Sequence, residues 1–141
     1  MTLNINTDGG SRGNPGLAAC AFVIKTDQGN LITEQGRLLG TTTNNTAEYE
    51  GVISALSWVL DSSQAKSLKE EWNSINFFLD SLLVVNQLNG IYKIKEKHLA
   101  SLHQKIITMI NQAPIPITFK YVPRSQNQEA DTFLNRLLDA S

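Results

Sequence analysis

Residues 2–8 (TLNINTD) alternate, with Leu3 and Ile5 on one face and polar side chains on the other. A period of two is the mark of a strand with one buried face. Residues 8–16 (DGGSRGNPG) are too rich in Gly, Asn and Pro for an element interior and read as a tight loop. Residues 17–26 (LAACAFVIKT) are an apolar run of strand length, Asp27-Gln28-Gly29-Asn30 carries turn chemistry, and 31–39 (LITEQGRLL) returns as the hairpin partner. The first forty residues therefore predict three antiparallel strands.

From Asn44 the period changes. Ala47, Val52, Ala55, Leu56 and Val59 recur at helical spacing and predict a helix to about Leu60. The polar stretch 61–74 reads as a loop, 75–79 (INFFL) as a short buried strand, and Ser81 to Asn89 as a short helix with Gly90 as its C′ residue. Leu99, Leu102, Ile106, Ile107 and Ile110 make 97–111 amphipathic, and Pro114 and Pro116 stop that helix. Residues 117–122 (ITFKYV) predict a fifth strand, and Ser125 with Gln128 predicts a capping box opening a last helix packed by Phe133, Leu134, Leu137 and Leu138. The order is βββαβααβα. It predicts an α/β fold in one domain, 1–141, whose five-stranded mixed sheet has three antiparallel strands, then two joined in parallel through helical crossovers.

Composition narrows the function classes. At 141 residues, 41% hydrophobic and 18% charged, the chain matches an ordinary globular domain. No apolar run reaches the roughly 18 residues needed to span a bilayer, so no membrane partner is expected. The opening MTLNINTDGG has no basic segment or long apolar stretch, so no secretory signal is expected and the default location is cytoplasmic. A single cysteine, Cys20, permits neither an intrachain disulfide nor a multi-Cys zinc site. The net charge of −1 argues against broad electrostatic attraction to nucleic acid. It leaves a nuclease open, because a bound divalent cation carries its own positive charge to a phosphate.

Four acidic residues change the picture. Asp8 closes the first predicted strand and Asp80 the fourth, so parallel neighbours would bring both to one edge of the sheet, where open α/β folds place their sites. Glu48 lies on the apolar stripe of its helix with Val52 and Ala55, and Asp131 on that of the last helix with Leu134 and Leu138. A carboxylate on such a stripe is costly unless paired or bound to metal. Each has a plainer reading. Asp8-Gly9 can be a turn, Glu48 the capping-box partner of Asn45, Asp80 an N-cap, and Asp131 a solvated residue at the stripe's edge. Together the four would repel one another without cations. Hard oxygen ligands suit Mg²⁺ or Mn²⁺, and two such ions can drive phosphodiester hydrolysis.

The same residues carry a family pattern. Thr7-Asp8-Gly9-Gly10-Ser11-Arg12-Gly13-Asn14-Pro15-Gly16 resembles the opening motif of the type 1 ribonucleases H, and Thr43-Asn44-Asn45-Thr46-Ala47-Glu48 their second. Leu79-Asp80-Ser81 and Asn127-Gln128-Glu129-Ala130-Asp131 resemble the third and fourth. The resemblance covers essentially the whole chain and implies a ribonuclease H-like fold. It implies that Asp8, Glu48, Asp80 and Asp131 bind two Mg²⁺ ions and that the RNA strand of an RNA/DNA hybrid is cut to 5′-phosphate and 3′-hydroxyl ends, by a monomer. It further implies that Asn14, Asn44 and Asn45 contact the hybrid across its minor groove. Amides can donate to and accept from the 2′-hydroxyl that marks RNA. Asn14 also reads as a turn residue and Asn44 as a helix cap.

Three departures from the family pattern qualify this. Leu82 stands where many members carry Gln. The loop Val122-Pro123-Arg124-Ser125 lacks the catalytic-loop His; the resemblance implies that Arg124 takes its place, as in the archaeal-like branch, while its plainer reading is a surface loop residue, and a guanidinium cannot shuttle protons near neutral pH but can steady a phosphate. The segment Gly90 to Lys97 is too short for the basic protrusion some members carry, leaving Lys93, Lys95 and Lys97 as a modest patch, with weak, salt-sensitive substrate binding expected. His98, His103, Trp58 and Trp72 read as structural. The competing functions are the same fold and metal chemistry acting on double-stranded RNA or in an exonuclease- or integrase-like reaction, and an inactive hybrid-binding module.

Overall fold

The computed structural model describes residues 2–61, 72–113 and 115–141. Strands β1 (Thr2–Gly13), β2 (Gly16–Thr26) and β3 (Leu31–Thr42) lead into helix α1 (Asn44–Asp61). Then come β4 (Ser74–Leu79), α2 (Leu82–Leu88), α3 (Lys97–Gln112), β5 (Ile117–Tyr121), a 3₁₀ turn (Arg124–Gln126) and α4 (Gln128–Asp139). The strands form one sheet in the order β3-β2-β1-β4-β5. β1–β2 and β2–β3 are antiparallel, while β1–β4 and β4–β5 are parallel. The predicted mixed sheet and element order hold. Most of the predicted 61–74 loop, and Pro114, lie outside the described residues.

The sheet is packed on both faces over β2, which explains why Ala18 to Ile24 are all buried without alternation. One face carries the main core. Leu3, Ile5, Ile24, Val52, Leu56, Phe77, Leu79 and Ile106 meet there, with the Phe77 and Phe119 rings stacked 5.1 Å apart. Trp58 and Trp72 join it, as the sequence reading expects. The other face holds a smaller cluster, in which Leu134 and Leu138 of α4 cover Ala19 and Ala21. The alanines let α4 lie close to the sheet.

Two predicted features are corrected. Residues 8–16 are not a loop: β1 and β2 pair from Leu3↔Thr26 to Gly13↔Gly16, leaving only Asn14-Pro15 as the turn. Gly9 serves close approach there. A Cβ on Gly9 would lie 2.2 Å from the carbonyl carbon of Ala47, so α1 rests directly on the β1 backbone. Ser125 and Gln128 form no capping box, because 124–126 is a 3₁₀ turn and Asn127 occupies the α4 cap position without capping through its side chain.

Candidate active site

The parallel ladder between β1 and β4 ends at Asn6↔Phe78. Continued by two residues, that register sets Asp8 opposite Asp80, where the strands have parted. Asp8 is therefore mid-strand rather than strand-closing, as β1 runs on to Gly13 paired with β2 alone. The side chain of Asn127, only 1% exposed, fills the opening. Its Nδ2 donates to the Thr7 carbonyl at 2.9 Å and to Asp80 Oδ2 at 3.2 Å, and its Oδ1 accepts from Asn6 Nδ2 at 3.0 Å. Asn127 thereby fixes Asp80 relative to β1.

Helix α1 delivers the third carboxylate. Thr43 Oγ1 accepts from the Thr46 N–H at 3.3 Å, so Thr43 does the capping and Glu48 is not part of a capping box with Asn45. Because α1 sits on Gly9, the first turns of the helix bring Glu48 over Asp8. Nor is Asp80 an N-cap; Ser81 caps α2 by accepting from the Val84 N–H.

Asp8, Glu48 and Asp80 each present an oxygen within 4.8 Å of the others. Asp8 and Glu48 are buried, and Glu48 Oε2 is buried with no hydrogen-bond partner among the described residues. Asp8 Oδ1 accepts from the Gly9 N–H at 3.0 Å. Burial first, then repulsion from Asp80 and Asp131, pushes the Asp8 carboxyl up to about 8. Burial, then the charges of Asp8 and Asp80, holds Glu48 well above the usual carboxylate range. A cluster that resists ionisation this strongly, built of hard oxygens with one partnerless acceptor, fits a divalent cation.

Asp131 stands beside this group rather than in it. It is half-buried, its Oδ1 accepts from Asn135 Nδ2 at 3.3 Å, and it faces Arg124 Nη2 at 3.5 Å. Arg124 itself is mostly exposed, with a side-chain exposure of 80%. All five of these residues line a cavity of about 410 Å³ together with Gly10, Ser11, Arg12, Asn44 and Asn45.

The rim is built from amides. Asn14 Oδ1 accepts from the Asn44 N–H at 3.0 Å, and Asn44 Oδ1 accepts from the Ser11 N–H at 2.8 Å and the Ser11 hydroxyl at 3.1 Å. These bonds tie the β1–β2 turn to the start of α1. They occupy the carbonyl oxygens and leave the NH₂ groups of both asparagines as donors for a ligand. Asn45 lines the cavity, half-buried. Leu82 is exposed at 50%, and Lys93, Lys95 and Lys97 are exposed. His98 is exposed and His103 half-buried on α3, away from the cavity lining. The residue the sequence reading missed is Asn127. Its place at the head of the fourth motif was the available signal, but a buried bridge across parted strands is not visible without the sheet register.

A family model described as reverse transcriptase-like matches residues 6–137. The crystal structure of RNase H1 from the halophilic archaeon Halobacterium salinarum is similar along the full length of both chains, with a TM-score of 0.88 at 30% identity. The chain belongs to the type 1 ribonuclease H family. Another ribonuclease H family structure, LC11-RNase H1 isolated from compost, in complex with an RNA/DNA hybrid, has a TM-score of 0.84 at 34% identity, covering 98% of this chain and 97% of that one. The bifunctional protein Rv2228c of Mycobacterium tuberculosis is 34% identical over 142 residues, which is 100% of this chain and 36% of that protein. The chain thus spans about a third of the length of the mycobacterial relatives it matches.

Proposed function

We propose that this chain is a divalent-metal-dependent endoribonuclease that hydrolyses the RNA strand of RNA/DNA hybrids, giving 5′-phosphate and 3′-hydroxyl ends. The observation that carries the reading is the buried triad of Asp8, Glu48 and Asp80, with its partnerless Glu48 oxygen, under a rim of amide donors. Asp8, Glu48 and Asp80, with Asp131 beside them, would hold two Mg²⁺ ions, with Mn²⁺ as a substitute. Bound there, the ions would supply the positive charge needed to activate an attacking water and to stabilise the leaving 3′ oxygen.

The chain's own residues supply the rest. Burial favours the protonated forms of Asp8 and Glu48, so a cation held there would do so at the expense of those protons, while Asn127 holds Asp80 in place. Asn14 and Asn44 offer NH₂ donors to 2′-oxygens, and Asn45 adds a third amide, which favours a strand of RNA across the minor groove. Arg124 cannot act as a base and instead steadies the scissile phosphate or the released 5′-phosphate. Cleavage products of a hybrid with a uniquely placed run of four ribonucleotides, mapped for end chemistry, test this reading. Cuts within that run leaving 5′-phosphate ends support it. Comparable cutting of double-stranded RNA widens the substrate class, for which the exposed apolar Leu82 is the observation in favour. Absence of cutting from folded protein with Mg²⁺ or Mn²⁺ overturns it.

A further inference from the structure

The face of β1 that carries Asp8 carries a cation farther along. Strand alternation puts Asp8, Gly10 and Arg12 on one side, and Gly10 there faces Leu134 of α4. Arg12 lines the cavity that holds the acids. Four residues of strand set it about 13 Å from Asp8, too far to touch the reacting phosphate and close enough to touch a neighbouring one. Among the residues lining the cavity only Arg12 and Arg124 are cationic, against four acids.

The Arg12 guanidinium is held by the carboxylate of Asp139, with side-chain exposures of 46% and 69%. Asp139 is the last residue of α4, where the helix dipole disfavours a negative charge. An ion pair this exposed contributes at most about 1 kcal/mol and is cheap to exchange. A phosphodiester offers a guanidinium the same paired oxygens that a carboxylate does.

We propose that Arg12 grips a backbone phosphate of the hybrid beside the cleavage point, and that Asp139 holds the guanidinium in position until that phosphate displaces it. The inference rests on the hybrid as ligand, the reading given above. The contact is to backbone, so it adds affinity without sequence preference.

The test is equilibrium binding of a fluorescently labelled RNA/DNA hybrid to the full chain in EDTA, by anisotropy, across a series of KCl concentrations. Arg12→Gln is expected to raise Kd about five- to tenfold for hybrids of any sequence and to flatten the log K against log salt slope by about 0.9. Asp139→Asn breaks the same pair but frees Arg12, so it is expected to bind as tightly as the parent or up to about threefold tighter. Arg12→Lys, which keeps the charge, is expected to retain the parent slope with a Kd about twofold higher. Wild-type Kd and slope in Arg12→Gln would overturn the proposal. So would equal weakening by Arg12→Gln and Asp139→Asn, since the pair would then be only a clamp between the hairpin and α4. If the wild type binds hybrid but does not cut it, the catalytic reading fails while the Arg12 comparison stands. If it cuts while Arg12→Gln binds normally, only this inference fails.

Discussion

Replacing Asp8 with Asn should stabilise the metal-free protein at pH 8 and leave it unchanged at pH 4. The ordinary carboxyl value of 3.8 is pushed to about 8 in the folded protein, by burial first and by neighbouring acids second. Below about pH 4 both the folded and unfolded chains carry the proton, and the shift has no effect on stability. As pH rises, the unfolded chain releases its proton while the folded one keeps it. Folding then loses about 1.4 kcal/mol per pH unit until the folded group also titrates, a ceiling of about 5–6 kcal/mol by pH 8. Asparagine removes the buried charge, and its Oδ1 can still accept from the Gly9 N–H. Local relaxation around the carboxylate lowers the gain, so a stabilisation of about 2–3 kcal/mol is expected at pH 8, or a Tm rise of about 5–10 °C for a domain of this size. Thermal melts in EDTA at pH 4, 6 and 8 read the effect directly. A Tm gain that grows with pH supports the reasoning. A gain of equal size at pH 4 and pH 8, or a loss at pH 8, would refute it, because the acid cluster would then not be under electrostatic load.

The remaining predictions touch other parts of the site. Added Mg²⁺ should raise the Tm of the wild type at pH 8 and do so far less in Asp8→Asn, with proton release on metal binding measurable by calorimetry in two buffers of different ionisation enthalpy. Gly9→Ala should cost about 3 kcal/mol or more in a urea melt, because its Cβ would meet the Ala47 backbone at 2.2 Å; a neutral result would mean that α1 does not rest on β1 as described. Asn127→Ala should cost about 2–4 kcal/mol and lower kcat, since it strips donors from the Thr7 carbonyl and Asp80 and an acceptor from Asn6; wild-type stability and rate would remove Asn127 from the account. Asn45→Ala should reduce preference for hybrid over DNA duplex about fivefold in competitive binding, and unchanged selectivity would sink the minor-groove role of that amide.

Much of this was legible in the sequence because the periodicities were clean. Leu3 and Ile5 gave a strand with one buried face, and Val52, Ala55 and Leu56 a helix that must turn Glu48 inward. What escaped depended on contacts between distant segments. DGGSRGNPG looks like a loop because its composition is turn-like, yet Gly9 lets a helix lie on a strand, a pressure that comes from Ala47, more than thirty residues on. Ser125 and Gln128 have capping-box spacing, but the chain enters α4 through a 3₁₀ turn because Asn127 is committed to the gap between β1 and β4. Asp131 shares an apolar stripe with Leu134 and Leu138 and so reads as equivalent to Glu48. Its position on α4 leaves it half-exposed and facing Arg124. Local pattern sets which way a side chain points along its own element; how far it reaches toward the others is set by packing.

The most direct test of the central claim is cleavage of one RNA/DNA hybrid, labelled in turn on the RNA and on the DNA strand, by wild type and by Glu48→Gln, with Mg²⁺ and with EDTA. Cutting of the RNA label alone, by the wild type alone and only with metal present, is the expected result. Cutting of the DNA strand, cutting in EDTA, or a Glu48→Gln protein as active as the wild type would contradict it.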